Sequence, residues 1–388
     1  MTSRIAVAMS CVIGLVLGVA TSWGQPVVTD SELVAAVDRL GDFDYDIRTE
    51  ASSLIRRIPS ERARPVLTDA AASHADGYVR FRALVLLVGF GGPEARNAVL
   101  DVLADPNDRL RAVAYAYFGH EPDPGMADSL LVALDTETSE FVRPALIRAL
   151  SAHAEDPAVR DRLLADIDRG VDFFRGAVIE SFGDRRAVYA VDPLIRIASE
   201  PGPLQDDAIL ALARIGDRRA VNTLAALQGH DPDLEPLVSA AAAALDVDKA
   251  GHLRFVSESL RFAAASADRL DLLTAAASGL SALASVGDTT ALDVLFDVGV
   301  DAPNASRDQI ALAVGTVALR HPTMMLSYLE TSDDLAGAAL VIRDAFDMLD
   351  EDLEEERFFM MARTRFWAAP EGSRARVVTD TLTEVLEF

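Results

Sequence analysis

The chain has 388 residues, 50% of them hydrophobic, with 36 basic groups against 61 acidic ones and a formal net charge of −25. That apolar content builds a core and excludes wholesale disorder. One Cys excludes a disulfide framework, a zinc ribbon and an iron–sulfur cluster, and the charge deficit excludes a nucleic-acid partner, whose phosphates it would repel.

The first segment reads as an address. Arg4 precedes an apolar run over Ile5–Ala20, and small residues stand at Ala20, Ser22 and Gly24. A positive start, a short hydrophobic stretch and small residues at the exit mark a secretory signal peptide. Residues 1–24 are assigned to it, with cleavage after Gly24 favoured over cleavage after Ala20 or Ser22. Retention as an anchor is the alternative, although the run is shorter than the ~20 residues that span a bilayer. Cleavage removes Cys11, the lone thiol.

The rest of the chain repeats. Val79-Arg80-Phe81-Arg82-Ala83-Leu84 ends in Phe90-Gly91, and Leu110-Arg111-Ala112-Val113 ends in Phe118-Gly119. Val142-Arg143-Pro144-Ala145-Leu146-Ile147 and Phe174-Arg175-Gly176-Ala177-Val178-Ile179 follow, the last ending in Phe182-Gly183-Asp184. The opening Arg stands at 82, 111, 143 and 175, with Arg48 as an earlier copy; Asp207 or Ala208 takes the place downstream. Asp76, Asp105 with Asp108, Ser139, and Asp231 with Asp233 are expected helix caps. A Gly turn and a second apolar stripe follow each block, as in Val191, Leu194 and Ile195. The unit is two antiparallel helices in about 30 residues, and stacking of neighbours must complete the core.

Val/Leu-Arg-x-x-Ala, an aliphatic run and Gly-Asp-x-x-Ala resemble the HEAT-like repeat, particularly its short, phycobilisome-lyase-type variety. The clearest copies are Phe182-Gly183-Asp184-Arg185-Arg186-Ala187 and Ile215-Gly216-Asp217-Arg218-Arg219-Ala220. The resemblance implies an all-α fold, a right-handed α-solenoid of stacked antiparallel helix pairs, here over residues 30–300. Asp184, Asp217 and Asp288 are expected to cap second helices. The opening Arg is expected to bond a neighbouring repeat's turn Asp or carbonyls, forming a ladder.

From 301 to 388 the pattern diverges into a helical C-terminal cap. Helices are expected over Asp308–Leu319, Asp333–Asp350 and Arg374–Leu386. Between them Asp347, Asp350, Glu351, Asp352, Glu354, Glu355 and Glu356 precede Phe358, Phe359, Met360, Met361, Phe366 and Trp367. This is either a cover for the last repeat or a docking edge, and the cover is favoured.

Chemistry-bearing patterns are thin. His120 and His153 are 33 residues apart, one repeat step, but a zinc site would need further ligands. Asp42-Phe43-Asp44-Tyr45-Asp46 lacks the Gly and the bidentate acid of a calcium loop. No phosphate loop, dinucleotide fingerprint or Gly-x-Ser-x-Gly is present. No enzyme, cofactor or metal is therefore expected, and the function read here is a non-catalytic extracytoplasmic scaffold for a protein or peptide, periplasmic or extracellular in a bacterium. Its concave face is expected to be lined by the second helices, with Asp101, Asp161, Asp192, Asn222, Asp293 and Asp297 as binding positions suited to a basic partner. The alternatives are a tetrapyrrole lyase- or isomerase-like enzyme, permitted by the resemblance, and a self-associating structural envelope component.

Lys249 is the sole lysine, and Asp outnumbers Glu 41 to 20. GC-rich coding accounts for this, and so does adaptation to salt, which screens a dense carboxylate surface. On the second account the melting temperature rises as salt goes from about 0.1 M to about 1 M, where the Debye length shrinks from ~10 to ~3 Å. A flat or falling melting point across that range removes the salt account.

Overall fold

A computed structural model of the chain describes residues 28–266, 268–349 and 352–388. The signal segment with its cleavage sites lies outside the described residues, as do Asp350 and Glu351 of the acidic run. Among the described residues there are helices and no strands.

The helices alternate between two rows. The chain enters through α1 (Asp30–Arg39) and α2 (Tyr45–Arg56), then α3 (Ser60–Ser73) and α4 (Gly77–Phe90), then α5 (Pro93–Asp101) and α6 (Asp108–His120). Next come α7 (Ala127–Thr136), α8 (Arg143–Ser151), α9 (Pro157–Asp166), α10 (Asp172–Asp184), α11 (Val191–Ala198) and α12 (Gln205–Ile215). The series continues with α13 (Val221–Leu227), α14 (Glu235–Ala244), α15 (Lys249–Ala264), α16 (Leu270–Ser285), α17 (Thr289–Asp301) and α18 (Asn304–Arg320). It ends with α19 (Pro322–Leu329), α20 (Leu335–Leu349), α21 (Asp352–Ala368) and α22 (Arg374–Leu386).

From α4 to α20 each even-numbered helix packs on the next even-numbered one, and α20 packs on α22. This row is tight enough for α12 to touch α16 as well. The odd-numbered helices lean mainly on their even partners, so they are splayed on the outside of the curve. The paired-helix solenoid therefore runs through residue 300 without a break. It corrects one expectation: the concave row is made by the first helix of each pair, not the second.

Small residues explain which row is inner. A Cβ on Gly183 would lie 3.0 Å from the Ala211 backbone, and one on Gly279 would lie 2.7 Å from the Ala240 Cβ. Gly119 and Gly183 sit inside α6 and α10 rather than in turns, and they let consecutive inner helices approach closely. The turn glycine of the repeat is instead Gly216, which ends α12 at φ 76 in the left-handed region.

The repeat Arg is Arg80 rather than Arg82, which sets the register at 48, 80, 111, 143 and 175, 31 or 32 residues apart. Four of these side chains donate to a carbonyl just upstream: Arg48 to Asp42 at 2.7 Å, Arg80 to Ala71 at 3.0 Å, Arg111 to Asp105 at 2.7 Å and Arg175 to Ile167 at 2.9 Å. Arg307 and Arg376 repeat the contact on Gly299 and Ala369. Each cation thus satisfies carbonyls left over near the end of the preceding helix. Arg80 also reaches Asp105 at 2.6 Å and Arg111 reaches Glu137 at 2.8 Å, so the contacts form a ladder.

Caps are mixed. Asp76 caps α4, but Asn107 rather than Asp105 or Asp108 caps α6. Ser139 caps nothing, since α8 begins after Val142, and Asp231 closes a turn ahead of α14. Asp217 and Asp288 cap the helices that follow them, whereas Asp184 is the last residue of α10 and pairs with Arg214 at 3.3 Å. Asp217→Ala is expected to cost ~1 kcal/mol in urea unfolding, the usual loss for a removed cap. A loss below a few tenths would mean the turn holds without its carboxylate.

Two buried clusters make the core. One runs from Leu33 to Leu245, the other from Ala240 to Phe388, and they meet at α14 and α16. Helix α21 joins them a second time, with Leu353 in the first cluster and Phe358, Phe359 and Ala362 in the second. It packs on α4 and on α18, so it crosses the curve rather than only covering the last repeat.

Candidate interaction surface on the inner row

The crossing of α21 is fixed by buried charge. Glu356, 1% exposed at its side chain, receives Arg56 at 2.7 Å and Arg363 at 3.3 Å. The Arg56 guanidinium also lies 5.0 Å from the Phe359 ring. Glu354 accepts from His120 Nε2 at 2.6 Å and from Arg357 at 3.0 Å, and Arg82 pairs with Asp352. Desolvation pushes Glu354 upward, but the His120 hydrogen bond and the charges of Arg357 and Arg320 outweigh it and hold its pKa at about 2. The acidic run is thus largely a set of internal anchors, and Phe358 and Phe359 are core. Trp367 remains exposed.

On the inner row α8, α10 and α12 leave a cavity of about 640 Å³, within the range of ligand pockets. Its wall repeats with the solenoid: Phe141, Pro144 and Arg148 from the α8 pair, Phe173, Ala177 and Glu180 from α10, and Asp207, Leu210 and Arg214 from α12. Phe141 and Phe173 are 59% and 66% exposed although they are large aromatics. At the floor Glu180 meets Arg320 at 2.8 Å. Desolvation raises Glu180, yet Arg320, Arg148 and Arg214 outweigh it and keep the carboxylate below its ordinary value. Asp207 is different: desolvation first, then Glu180 and Asp206, push it up to about 6 against the weaker pull of Arg214. A larger cleft of about 1110 Å³ lies between α2 and the end of α22 beside Val28, without an aromatic in its wall.

The six positions expected from the sequence lie elsewhere. Asp101 is on α5, Asp161 on α9, Asp192 on α11, Asn222 on α13, and Asp293 and Asp297 on α17, all exposed on outer-row helices. Asp192 pairs with Arg219 at 3.0 Å, and Asp293 accepts from the Tyr328 hydroxyl at 2.9 Å. They follow one another along the convex side and do not converge on the cavity. The signal that marks the inner row was present in the sequence: Gly and Ala concentrate on first helices, as in Ala240–Ala244 and Ala275–Ala277. His120 and His153 do not share a site; His120 serves α21, and His153 is buried with its pKa lowered by desolvation and by Arg185. Among the described residues no group of His, Cys, Asp and Glu is arranged to hold a metal ion. No single helix among them is long and apolar enough to cross a membrane.

A family model described as HEAT repeats matches residues 33–119. No curated protein matches the sequence. Among solved structures, the chain is similar to one in the crystal structure of Kap121p bound to Nup53p, at 12% identity and a TM-score of 0.29. That alignment covers 92% of this chain and 46% of the other, so this chain spans less than half the length of that neighbour. HEAT repeats thus match the first part of the chain, and the stacked helix pairs that continue to its end make it an α-solenoid of HEAT-like repeats.

Proposed function

We propose that the protein is a non-catalytic scaffold, exported from a bacterial cytoplasm, that holds a protein or peptide partner against its inner row. The observation that supports this reading is the pair Phe141 and Phe173, exposed one repeat apart beside a cavity on the concave side. Soluble chains rarely leave such side chains together in water without a use for them. A solenoid presents a long preformed groove for such contacts. Export rests on the charge and hydrophobicity of residues 1–24.

A photoreactive residue placed at Phe173 in the native organism tests the binding face, with the same residue at Asp161 on α9 as the outer-row comparison. Mass spectrometry should find a protein captured from position 173 and not from 161. Equal capture from both positions, or none from 173, overturns the reading. The exported form is expected to begin at Gln25, which N-terminal sequencing of the envelope fraction checks.

A further inference from the structure

Asp207 stands in the first turn of α12, with its carboxylate turned toward Gly176 of α10. The carboxylate lines the inner wall of the cavity, and the ladder contact of this repeat is made instead by Gln205, whose Nε2 donates to the Ala198 carbonyl at 2.9 Å. Around it Asp172 holds Arg175 at 2.8 Å, Asp184 holds Arg214 at 3.3 Å and Glu180 holds Arg320 at 2.8 Å, while Arg148 of the same wall acts on Glu180. Asp207 makes no hydrogen bond or ion pair within the described residues, and its neighbour Asp206 adds a second negative charge. Gly176 leaves room for the carboxylate, since a Cβ there would lie 3.1 Å from the Asp207 Oδ2. A half-buried carboxylate without a partner is destabilising unless a cation reaches it.

We propose that the cavity on α8, α10 and α12 is a subsite for a Lys or Arg side chain of the partner protein, which pairs with Asp207 while an adjacent apolar residue of the same segment packs on Phe141 and Phe173. This deepens the scaffold reading and rests on it. The Asp207 carboxylate selects the cation, and the two exposed rings select its apolar neighbour. The subsite differs from the rest of the inner row because α21 occupies the floor beside α4 and α6.

Random peptides displayed on phage and selected on the full chain test the proposal, followed by fluorescence anisotropy with the enriched peptide. The selected sequences should place Lys or Arg next to an aromatic or aliphatic residue. Asp207→Asn should weaken that peptide at least about tenfold, the scale of a lost charge-assisted pair, and Asp207→Arg should abolish binding. Phe173→Ser should weaken it as well. An unchanged melting temperature of Asp207→Arg shows that its loss of binding is not misfolding. Peptides that bind wild type and Asp207→Asn within twofold overturn the subsite while leaving the scaffold reading intact. So does a selection that retains no peptide, because the crosslinking from position 173 tests the scaffold separately.

Discussion

Glu356→Ala is expected to lower the free energy of unfolding by about 3–5 kcal/mol, the range for removing one partner of a buried ion pair. The loss is not the worth of an isolated contact. Glu356 is the acidic member of a triad with Arg56 and Arg363, and its side chain is 1% exposed. Without it two guanidiniums face each other in a site closed by Phe359. Urea denaturation at neutral pH measures the change, and hydrogen exchange should quicken in α2 and α4 together with α21. Replacing all three charged residues by apolar ones of similar size should recover most of the loss, as buried triads elsewhere do. Gly89 offers an independent check on the same contact. Alanine is normally better than glycine inside a helix by about 1 kcal/mol, yet a Cβ on Gly89 would lie 2.5 Å from the Glu356 carboxylate. Gly89→Ala should therefore destabilise the wild type and stabilise Glu356→Ala, a change of sign that a double-mutant cycle reads directly. If both backgrounds gain stability, α21 is not seated on α4.

The repeat, its helix pairs and its length were legible because each depends on local spacing. Apolar residues three and four apart fix a helix face, and recurrence near 32 residues fixes the stack. Helix α22 begins and ends where the sequence places it, at Arg374 and Leu386. Curvature was not legible from that spacing. Both helices of a pair are amphipathic, so the pattern shows that Leu194 of α11 is buried without showing which row is concave. The decision lies in side-chain volume: Gly183 against Ala211 and Gly279 against Ala240 draw the first helices together, and the second helices splay. Assigning Asp101, Asp161, Asp192, Asn222, Asp293 and Asp297 to the groove followed from reading polarity where volume decides. The run from Asp352 to Glu356 misled for a second reason. Carboxylates in sequence imply solvent, but their partners Arg56, Arg82 and His120 lie more than 230 residues away in the chain, and no local pattern announces them.

Asp207 should add stability as pH falls from 7 toward about 4, against the loss from the desolvated His153 and His321, and Glu354 should lose it toward pH 2, because the two carboxylates are shifted in opposite directions. Asp207 has a folded pKa of about 6, above the ~3.9 of an unfolded Asp. Its ionised form is disfavoured by the fold, so this destabilisation is complete above pH 6 and is relieved as protonation proceeds between about 6 and 4. The site is partly open to water, which limits the gain to about 1–2 kcal/mol. Glu354 behaves in the reverse sense. Its folded pKa of about 2 lies below the ~4.3 of an unfolded Glu, so its contribution is fully present above about 4.3 and is lost as pH falls toward 2. A shift of that size corresponds to about 3 kcal/mol. Urea midpoints taken at successive pH values separate the two limbs. Asp207→Asn should flatten the limb between pH 7 and 4 and leave the acid limb in place. Glu354→Gln should flatten the acid limb and lower stability at pH 7, because His120 and Arg357 lose their anion. If Glu354→Gln left the acid limb unchanged, the acid sensitivity would belong to the outer carboxylates and not to the anchor of α21. The two limbs also separate the working parts of the molecule: the upper one reports the inner-row cavity, and the lower one reports the helix that closes the curve.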